Sequence, residues 1–409
     1  MRILNAWRNN EFVGSFYYID GKYGFRYDRS VKVPISLSLP LDGTWIKNAP
    51  KNFLSNLLPE SRSGREFMRA ALQASSTDVF DLLDKVDSSG GLVFSSSDSN
   101  PYTGVPEEYS VLMYDDVAKR VFAARNSDSD WWSKTSKFSI AGNQPKITLH
   151  YDGYNWVDPN VNLPSTHILK ANRDWTSDAS IIEVASLKLA RLAGLTTSNV
   201  TLMNFGGVDT FVTERFDRFR HPNGYVYRVQ SEDLLQAIGR PEQDKYKVSA
   251  KQLVNILRLA DPTDNLVYDW VEQLAFNYSI NNVDSHAKNY SVLIDGAGIR
   301  TSPLYDALTT TYWSNVDKRL PMKIGGAEYA GQLSPNHWAK FARVNNLDPE
   351  RVVAITRTTS YRVLQSAPSA YADVPVEVRD KVLSEIGKAN TNAKPSDILQ
   401  GENSGIKRS

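Results

Sequence analysis

Over the first forty residues short apolar runs alternate with turn formers: Phe12-Val13-Gly14, Phe16-Tyr17-Tyr18-Ile19, Asp20-Gly21, then Gly24-Phe25-Arg26-Tyr27. Short apolar runs punctuated by Gly and Asp predict antiparallel strands. A helical stretch is predicted from Lys51 to about Leu83. The polar run Ser95-Ser96-Ser97-Asp98-Ser99-Asn100-Pro101 has the composition of a linker and predicts a boundary near residues 100–110. From Trp131 to Arg218 strands mix with one clear helix. There Ile181, Ile182, Ala185, Leu189 and Leu192 recur at helical spacing, and Gly194 is placed to end it. From Ser231 onward the pattern is mainly helical, broken by one candidate hairpin, and the polar end of the chain reads as frayed. The expected organisation is a strand-rich module with helices over 1–108, a mixed lobe over 109–230, a helical lobe over 231–390 and a polar tail over 391–409.

Composition narrows the class. A chain of 409 residues has room for two or three structural units. With 41% hydrophobic and 23% charged residues it reads as an ordinary soluble protein. A net charge of +1 provides no global field for nucleic acid or an anionic membrane. No cysteine is present, which excludes disulfides, thiolate nucleophiles and Cys-ligated metals. The opening Met1–Arg8 meets charge before a signal-peptide core could form, and no apolar run approaches the roughly 20 residues of a membrane span. A cytoplasmic protein with no membrane contact is expected.

The most informative stretch begins with an amphipathic helix (Trp270, Val271, Leu274, Ala275, Tyr278). It runs into the polar loop Asn281-Asn282-Val283-Asp284-Ser285-His286-Ala287-Lys288-Asn289. A strand over Tyr290–Ile294, a turn at Asp295–Gly298, a second strand over Ile299–Tyr305 and Asp306 complete it. In an antiparallel hairpin the start of the first strand lies beside the end of the second, which brings Asn289 to Asp306. An amide oxygen and a carboxylate at one point form a hard-oxygen site suited to Mg²⁺ carrying phosphate. Asp284, just upstream, can accept the proton of an attacking hydroxyl. A loop Asp, an Asn five positions later, a hairpin and a metal-binding Asp form the layout of protein kinases, so ATP and Mg²⁺ are the expected cofactors. A bare Asp and Asn also suit a solvated loop and turn; the ordered set of elements favours the kinase. His286 either faces the nucleotide or packs the loop.

Groups for the phosphates are less distinctive, since the chain has neither a Walker A sequence nor G-x-G-x-x-G. In Phe138-Ser139-Ile140-Ala141-Gly142-Asn143-Gln144-Pro145-Lys146 the small residues Ala141 and Gly142 would let backbone N–H groups approach phosphate; a plain hairpin turn fits as well. Thr166-His167-Ile168-Leu169-Lys170 ends an apolar strand with lysine, and Glu183 falls in the first turn of the next helix. Kinases pair such a Lys and Glu, whereas a snorkelling Lys and a Glu favoured by the helix dipole give the same letters.

These motifs together resemble the HipA-type serine/threonine kinases, the toxin partners of bacterial HipBA toxin–antitoxin pairs. The N-terminal module is similar through Trp7–Gly14, Pro34–Leu41 and Phe53–Glu60. The kinase core is similar through Ser139–Lys146, Thr166–Lys170, Glu214–Arg218, Glu232–Gln236 and Asp284–Asn289. The resemblance implies an α+β, protein-kinase-like two-lobe fold with an extra N-terminal α/β module and a mostly helical C-terminal lobe. It makes Asp284 the catalytic base and Asn289 and Asp306 the Mg²⁺ ligands. Ser139–Lys146 becomes the phosphate-binding loop, with Ile140, Ala141, Gly142, Asn143, Gln144, Lys146 and Lys170 as ATP-binding residues and Glu183 in support. Glu214 and Phe216 would receive adenine, His286 would lie near the nucleotide, and Ser139 would be the autophosphorylation site. Some members read Gln-Glu-Asp where this chain reads Gln230-Ser231-Glu232-Asp233, so Gln230 is given no nucleotide contact.

The same resemblance implies phosphorylation of a serine on an aminoacyl-tRNA synthetase, glutamyl-tRNA synthetase first among them, with arrest of translation and growth. It implies neutralisation by a HipB-like helix-turn-helix antitoxin and contact with operator DNA mainly through that antitoxin. Two other readings share much of the chemistry: a small-molecule or lipid phosphotransferase, and an inactive pseudokinase acting as antitoxin co-repressor.

Overall fold

Residues 1–102, 109–126, 146–172, 176, 178–222 and 224–392 are described by the computed structural model. They divide into two units. The first comprises Met1–Ser180, Ser198–Lys245 and Ser291–Ser302; the second comprises Ile181–Thr197, Tyr246–Tyr290 and Pro303–Ser409.

In the first unit the alternating start of the chain becomes the meander β1 (Arg2–Arg8), β2 (Glu11–Ile19) and β3 (Lys22–Tyr27). Asn9 and Asp20 turn it with φ of 50° and 49°, a left-handed conformation that Asn and Asp tolerate better than most residues. The helical stretch expected from Lys51 to Leu83 is three pieces instead: α1 (Ala49–Ser55), α2 (Arg62–Leu72) and α3 (Val79–Leu82). The breaks are capping events. Ser61 Oγ accepts from Gly64 N at 3.0 Å and Asp78 Oδ1 accepts from Phe80 N at 3.0 Å, so side chains restart the helix twice. β4 (Leu92–Ser95) then pairs with β1, giving the sheet order β3-β2-β1-β4.

A six-stranded sheet follows, built from β5 (Val111–Leu112), β6 (Lys146–Tyr151), β7 (Trp156–Val157), β8 (His167–Ala171), β9 (Val200–Phe205) and β10 (Val208–Glu214) in the order β5-β7-β6-β8-β10-β9. Helix α4 (Tyr114–Asn126) lays Val117, Val121 and Ala124 into a core that runs on through Leu4, Phe16 and Phe53 of the N-terminal module. Each such aliphatic or aromatic side chain contributes about 1.5–3 kcal/mol on burial.

Where the pattern after Ser231 reads as helical, a strand intervenes. The short hairpin β11 (Arg218–Arg220) and β12 (Val226–Arg228) leads to β13 (Gln230–Asp233), which pairs with β14 (Ser291–Asp295); β15 (Gly298–Thr301) completes the sheet β13-β14-β15. Helix α6 (Leu234–Ala237) starts immediately after β13 in a capping box of Asp233 and Gln236. Gly90 and Gly91 lie against β13 so closely that a Cβ would meet Ser231 O at 2.7 Å and Gln230 N at 2.5 Å, which leaves glycine as the residue that fits.

The second unit is helical: α5 (Ala179–Leu192), α7 (Ala250–Ala260), α8 (Asn265–Ser279), α9 (Pro335–Val344), α10 (Pro349–Ala370) and α11 (Val376–Ala389). α5 ends at Gly194 as expected, with φ of 95°. It begins earlier than the pattern implied, so Glu183 falls one turn in rather than in the first turn. Ser180 anchors that earlier start: it is buried, and its Oγ accepts from Asn172 Nδ2 at 2.7 Å. α8 is buried almost all round and carries the chain into the polar loop.

Candidate functional site

The loop after α8 is held by amides. Asn282 Nδ2 donates to Asn277 Oδ1 at 2.8 Å, Asn282 Oδ1 accepts from Asp284 N at 3.2 Å, and Val283 N donates to Thr310 Oγ1 at 2.7 Å. Ser285 Oγ donates to Asn282 O at 2.9 Å. This network fixes the main chain and leaves the Asp284 side chain exposed. Tyr246 donates a short hydrogen bond from its phenol to Asp284 Oδ1. His286 is buried, and its ring meets that of Tyr246 edge-on, with centroids 4.9 Å apart.

The hairpin is shorter than expected. β15 stops at Thr301: Ser302 N still donates to Ser291 O at 2.9 Å, but Pro303 has no N–H to continue the pairing, and Leu304 N donates instead to Thr196 O at 2.9 Å. The juxtaposition nevertheless forms: Asn289 Nδ2 donates to Asp306 Oδ2 at 2.7 Å. Asn289 ends a single 3-10 turn, Ala287–Asn289, and is 4% exposed. Asp306 is half-buried with φ of 54°, a left-handed backbone held by its surroundings. Tyr305 Oη donates to Lys288 O at 2.8 Å and ties the two segments together.

One polar atom at this point stands out. Asn289 Oδ1 is buried and finds no hydrogen-bond partner among the described residues. A buried amide oxygen without a donor costs about 1–3 kcal/mol. Beside a carboxylate, such an oxygen is suited to a cation. No cluster of three or more His, Cys, Asp or Glu side chains able to hold a metal occurs among the described residues. An all-protein cage is therefore not what this loop offers; one carboxylate and one amide fit an ion that brings phosphate and water as its other ligands.

In the first unit Lys170 sits on β8, largely buried, with Nζ 4.9 Å from the centre of the Phe211 ring. Its partner across the ladder is Lys146. Ser139, Ile140, Ala141, Gly142, Asn143 and Gln144 lie outside the described residues. Glu214 ends β10, exposed, and accepts from Asn199 Nδ2 at 2.9 Å; Phe216 is half-buried. Glu183 is buried on α5.

Gln230, given no nucleotide contact from sequence, has a structural task. Its Nε2 donates to Ile35 O at 2.6 Å and its Oε1 accepts from Gly91 N at 2.9 Å. Glu232 accepts from Ser36 Oγ at 2.5 Å and Leu37 N at 2.7 Å. Burial pushes the Glu232 carboxyl up to about 8, against the lowering effect of those two donors.

Residues 138–367 match the model of the HipA-like C-terminal domain, more than half of the chain. The chain belongs to the HipA family. Residues 4–90 match the HipA N-terminal domain as well. The serine/threonine-protein kinase toxin HipA of Shewanella oneidensis is 27% identical over 365 residues, covering 83% of this chain and 81% of that protein. A chain of the solved Shewanella oneidensis toxin–antitoxin complex of HipA, HipB and operator DNA superposes with a TM-score of 0.80 at 23% identity. It covers 95% of this chain and 98% of its own. That likeness establishes the fold: α+β, kinase-like, with the HipA N-terminal module and a mostly helical C-terminal lobe. The enzyme class is that of a serine/threonine protein kinase, a class that uses ATP. No helix among the described residues is long and apolar enough to cross a membrane.

Sequence reasoning missed Tyr246 and a buried charge cluster built on the Glu214–Arg218 motif. A lone Lys-Tyr dipeptide carries no signal for the first. The four charges set around one Phe in Glu214-Arg215-Phe216-Asp217-Arg218 are a signal for the second.

Proposed function

We propose that this HipA-family kinase transfers the γ-phosphate of ATP to a serine of a protein substrate, with Asp284 as the base that takes the serine proton. The observation that carries this reading is the meeting of Asn289 with Asp306 at 2.7 Å, with Asn289 Oδ1 left without a donor. Asn289 and Asp306 would hold Mg²⁺ through oxygen, and the ion's charge would offset that of the triphosphate. Lys146 and Lys170 would bind phosphate oxygens; Glu214 and Phe216 would receive adenine, and His286 would pack near the nucleotide. The serine hydroxyl gives its proton to Asp284 as its oxygen attacks γ-phosphorus, and the bond to the β,γ-bridging oxygen breaks to leave ADP.

By family likeness the acceptor is an aminoacyl-tRNA synthetase, glutamyl-tRNA synthetase first. Its modification would arrest translation and growth. A HipB-like antitoxin would neutralise the kinase and mediate contact with operator DNA. Autophosphorylation of Ser139 would add about −1.5 to −2 charges beside the ATP phosphates and switch the enzyme off by repulsion.

The test is expression of the unaltered chain and of Asp284→Gln in the same host, with transfer from labelled ATP followed in parallel. Growth arrest and a labelled protein band are expected from the unaltered chain. The variant should lose about 10²–10⁴-fold in transfer while binding ATP as before. Label appearing in a small soluble product would favour a small-molecule acceptor. No ATP binding and no label at all would favour a pseudokinase.

A further inference from the structure

We infer that Tyr246 is a positioning residue for the Asp284 carboxylate, an inference that rests on the kinase reading above. The amide network of the loop fixes main-chain atoms: Asn282 holds Asp284 N and Thr310 holds Val283 N. The carboxylate of a base must also be fixed about its own side-chain torsions, because a general base works only within hydrogen-bond reach of the proton it takes. Tyr246 meets that need. Its phenol donates to Asp284 Oδ1 while its ring abuts the buried His286 edge-on at 4.9 Å. His286 N in turn donates to Asp284 O at 2.8 Å. The tyrosine is therefore located by the residue two places beyond the base and delivers its hydroxyl to the base itself. A donor on one oxygen restricts the rotation of the carboxylate.

Tyr246 is 52% exposed and stands between the 3-10 turn Glu242–Asp244 and the Ser249 cap of α7. Removal of its hydroxyl deletes one contact of the base and leaves the ring against His286. Fold stability then has little to lose.

The experiment follows self-labelling of the full chain with γ-labelled Mg-ATP over a range of ATP concentrations, for the unaltered protein and Tyr246→Phe. The expected result is a maximal rate reduced about 10-fold, from the loss of a hydrogen bond to a charged group. Half-saturating ATP and the thermal midpoint should stay unchanged. A maximal rate within about twofold of the unaltered chain overturns the inference. So does a higher rate, which would make Tyr246 an occupant of the acceptor's place. A fall in rate matched by a fall in thermal midpoint overturns it in favour of a structural role. Absence of labelling by the unaltered chain refutes the kinase reading instead, and the positioning role with it.

Discussion

Two regions of this protein handle acidic side chains in opposite ways. Around Asp87 the first unit gathers Arg215, Arg218 and Arg228, each nearly inaccessible to solvent. Asp87 Oδ1 accepts from Arg228 Nη2 at 2.8 Å and Arg218 Nη2 at 3.0 Å, while Oδ2 accepts from Ser165 Oγ at 2.6 Å and Ser165 N at 3.0 Å. Asp217 Oδ2 accepts from Arg215 Nη2 and Gly90 N, both at 2.7 Å. Burial alone would raise the Asp87 carboxyl, but the three guanidiniums outweigh it and hold the group below the usual carboxylate range. At the Asp284–Asp306 loop the balance is reversed: Asp284 faces solvent, and a buried amide oxygen finds no donor among the described residues. The first arrangement is closed, with its acceptors committed to the fold. The second is open, with acceptor capacity left for something that is not protein.

The sharpest way to break this comparison is Asp87→Asn. It would take the carboxylate away from Arg228 and leave Arg215 and Arg218 with Asp217, and removing one partner of a buried ion network costs about 3–5 kcal/mol. Urea unfolding should register most of that. A loss under about 1 kcal/mol would mean the guanidiniums reach water, and the cluster is not closed. The open region should answer differently. Asp306→Asn, which keeps a residue tolerant of the left-handed φ of 54°, is expected to lower transfer by about 10²–10³-fold and abolish the Mg²⁺ dependence of nucleotide binding, with urea unfolding nearly unchanged. Retained Mg²⁺ dependence, read by calorimetric titration, would remove Asp306 from the site.

Glu232 sharpens the contrast because it is buried like Asp87 yet pairs with no cation among the described residues. Its carboxyl is raised from an ordinary value of 4.5 to about 8, so it is neutral in the folded protein where the unfolded chain has already lost the proton. The unfolded state therefore binds fewer protons, and stability falls as pH rises from about 4.5 through 8. Glu232→Gln should flatten that fall. The difference in pH dependence between the two proteins is at most about 3 kcal/mol between pH 5 and pH 7. Parallel pH profiles would show Glu232 charged in the fold.

The motif Glu214-Arg215-Phe216-Asp217-Arg218 shows how far letters alone could go. Family likeness directed attention to Glu214 and Phe216. Arg215, Asp217 and Arg218 go to the buried cluster, because the chain leaves β10 after Glu214 and turns at Phe216–Asp217, which carries those three side chains to the interior. Which side is the interior depends on Asp87 and Ser165, residues remote in sequence. The loop from Asp284 to Asn289 was far more legible. Its members lie within one stretch of chain, and a hairpin joins the two ends that must meet, so local rules sufficed to place Asn289 beside Asp306. The same rules misjudged the start of α5 by a turn and gave β15 four residues too many, because a buried serine and a proline decided those ends.

What the amino-acid sequence determined by itself was local: the opening meander, α5 and its stop at Gly194, the loop from Asp284 to Asn289 and the pairing with Asp306. In each case the residues that interact are near in the chain or joined by a hairpin, so little loop entropy stands between pattern and contact. What only tertiary structure decided was non-local. β13 is a strand because β14 is there to pair with it, the Glu232 carboxyl is pushed up because the fold takes it out of water, and Tyr246 reaches Asp284 over the length of chain that forms α7 and α8. Those outcomes depend on which distant partner removes a side chain from water, and no pattern of neighbours along the chain encodes that.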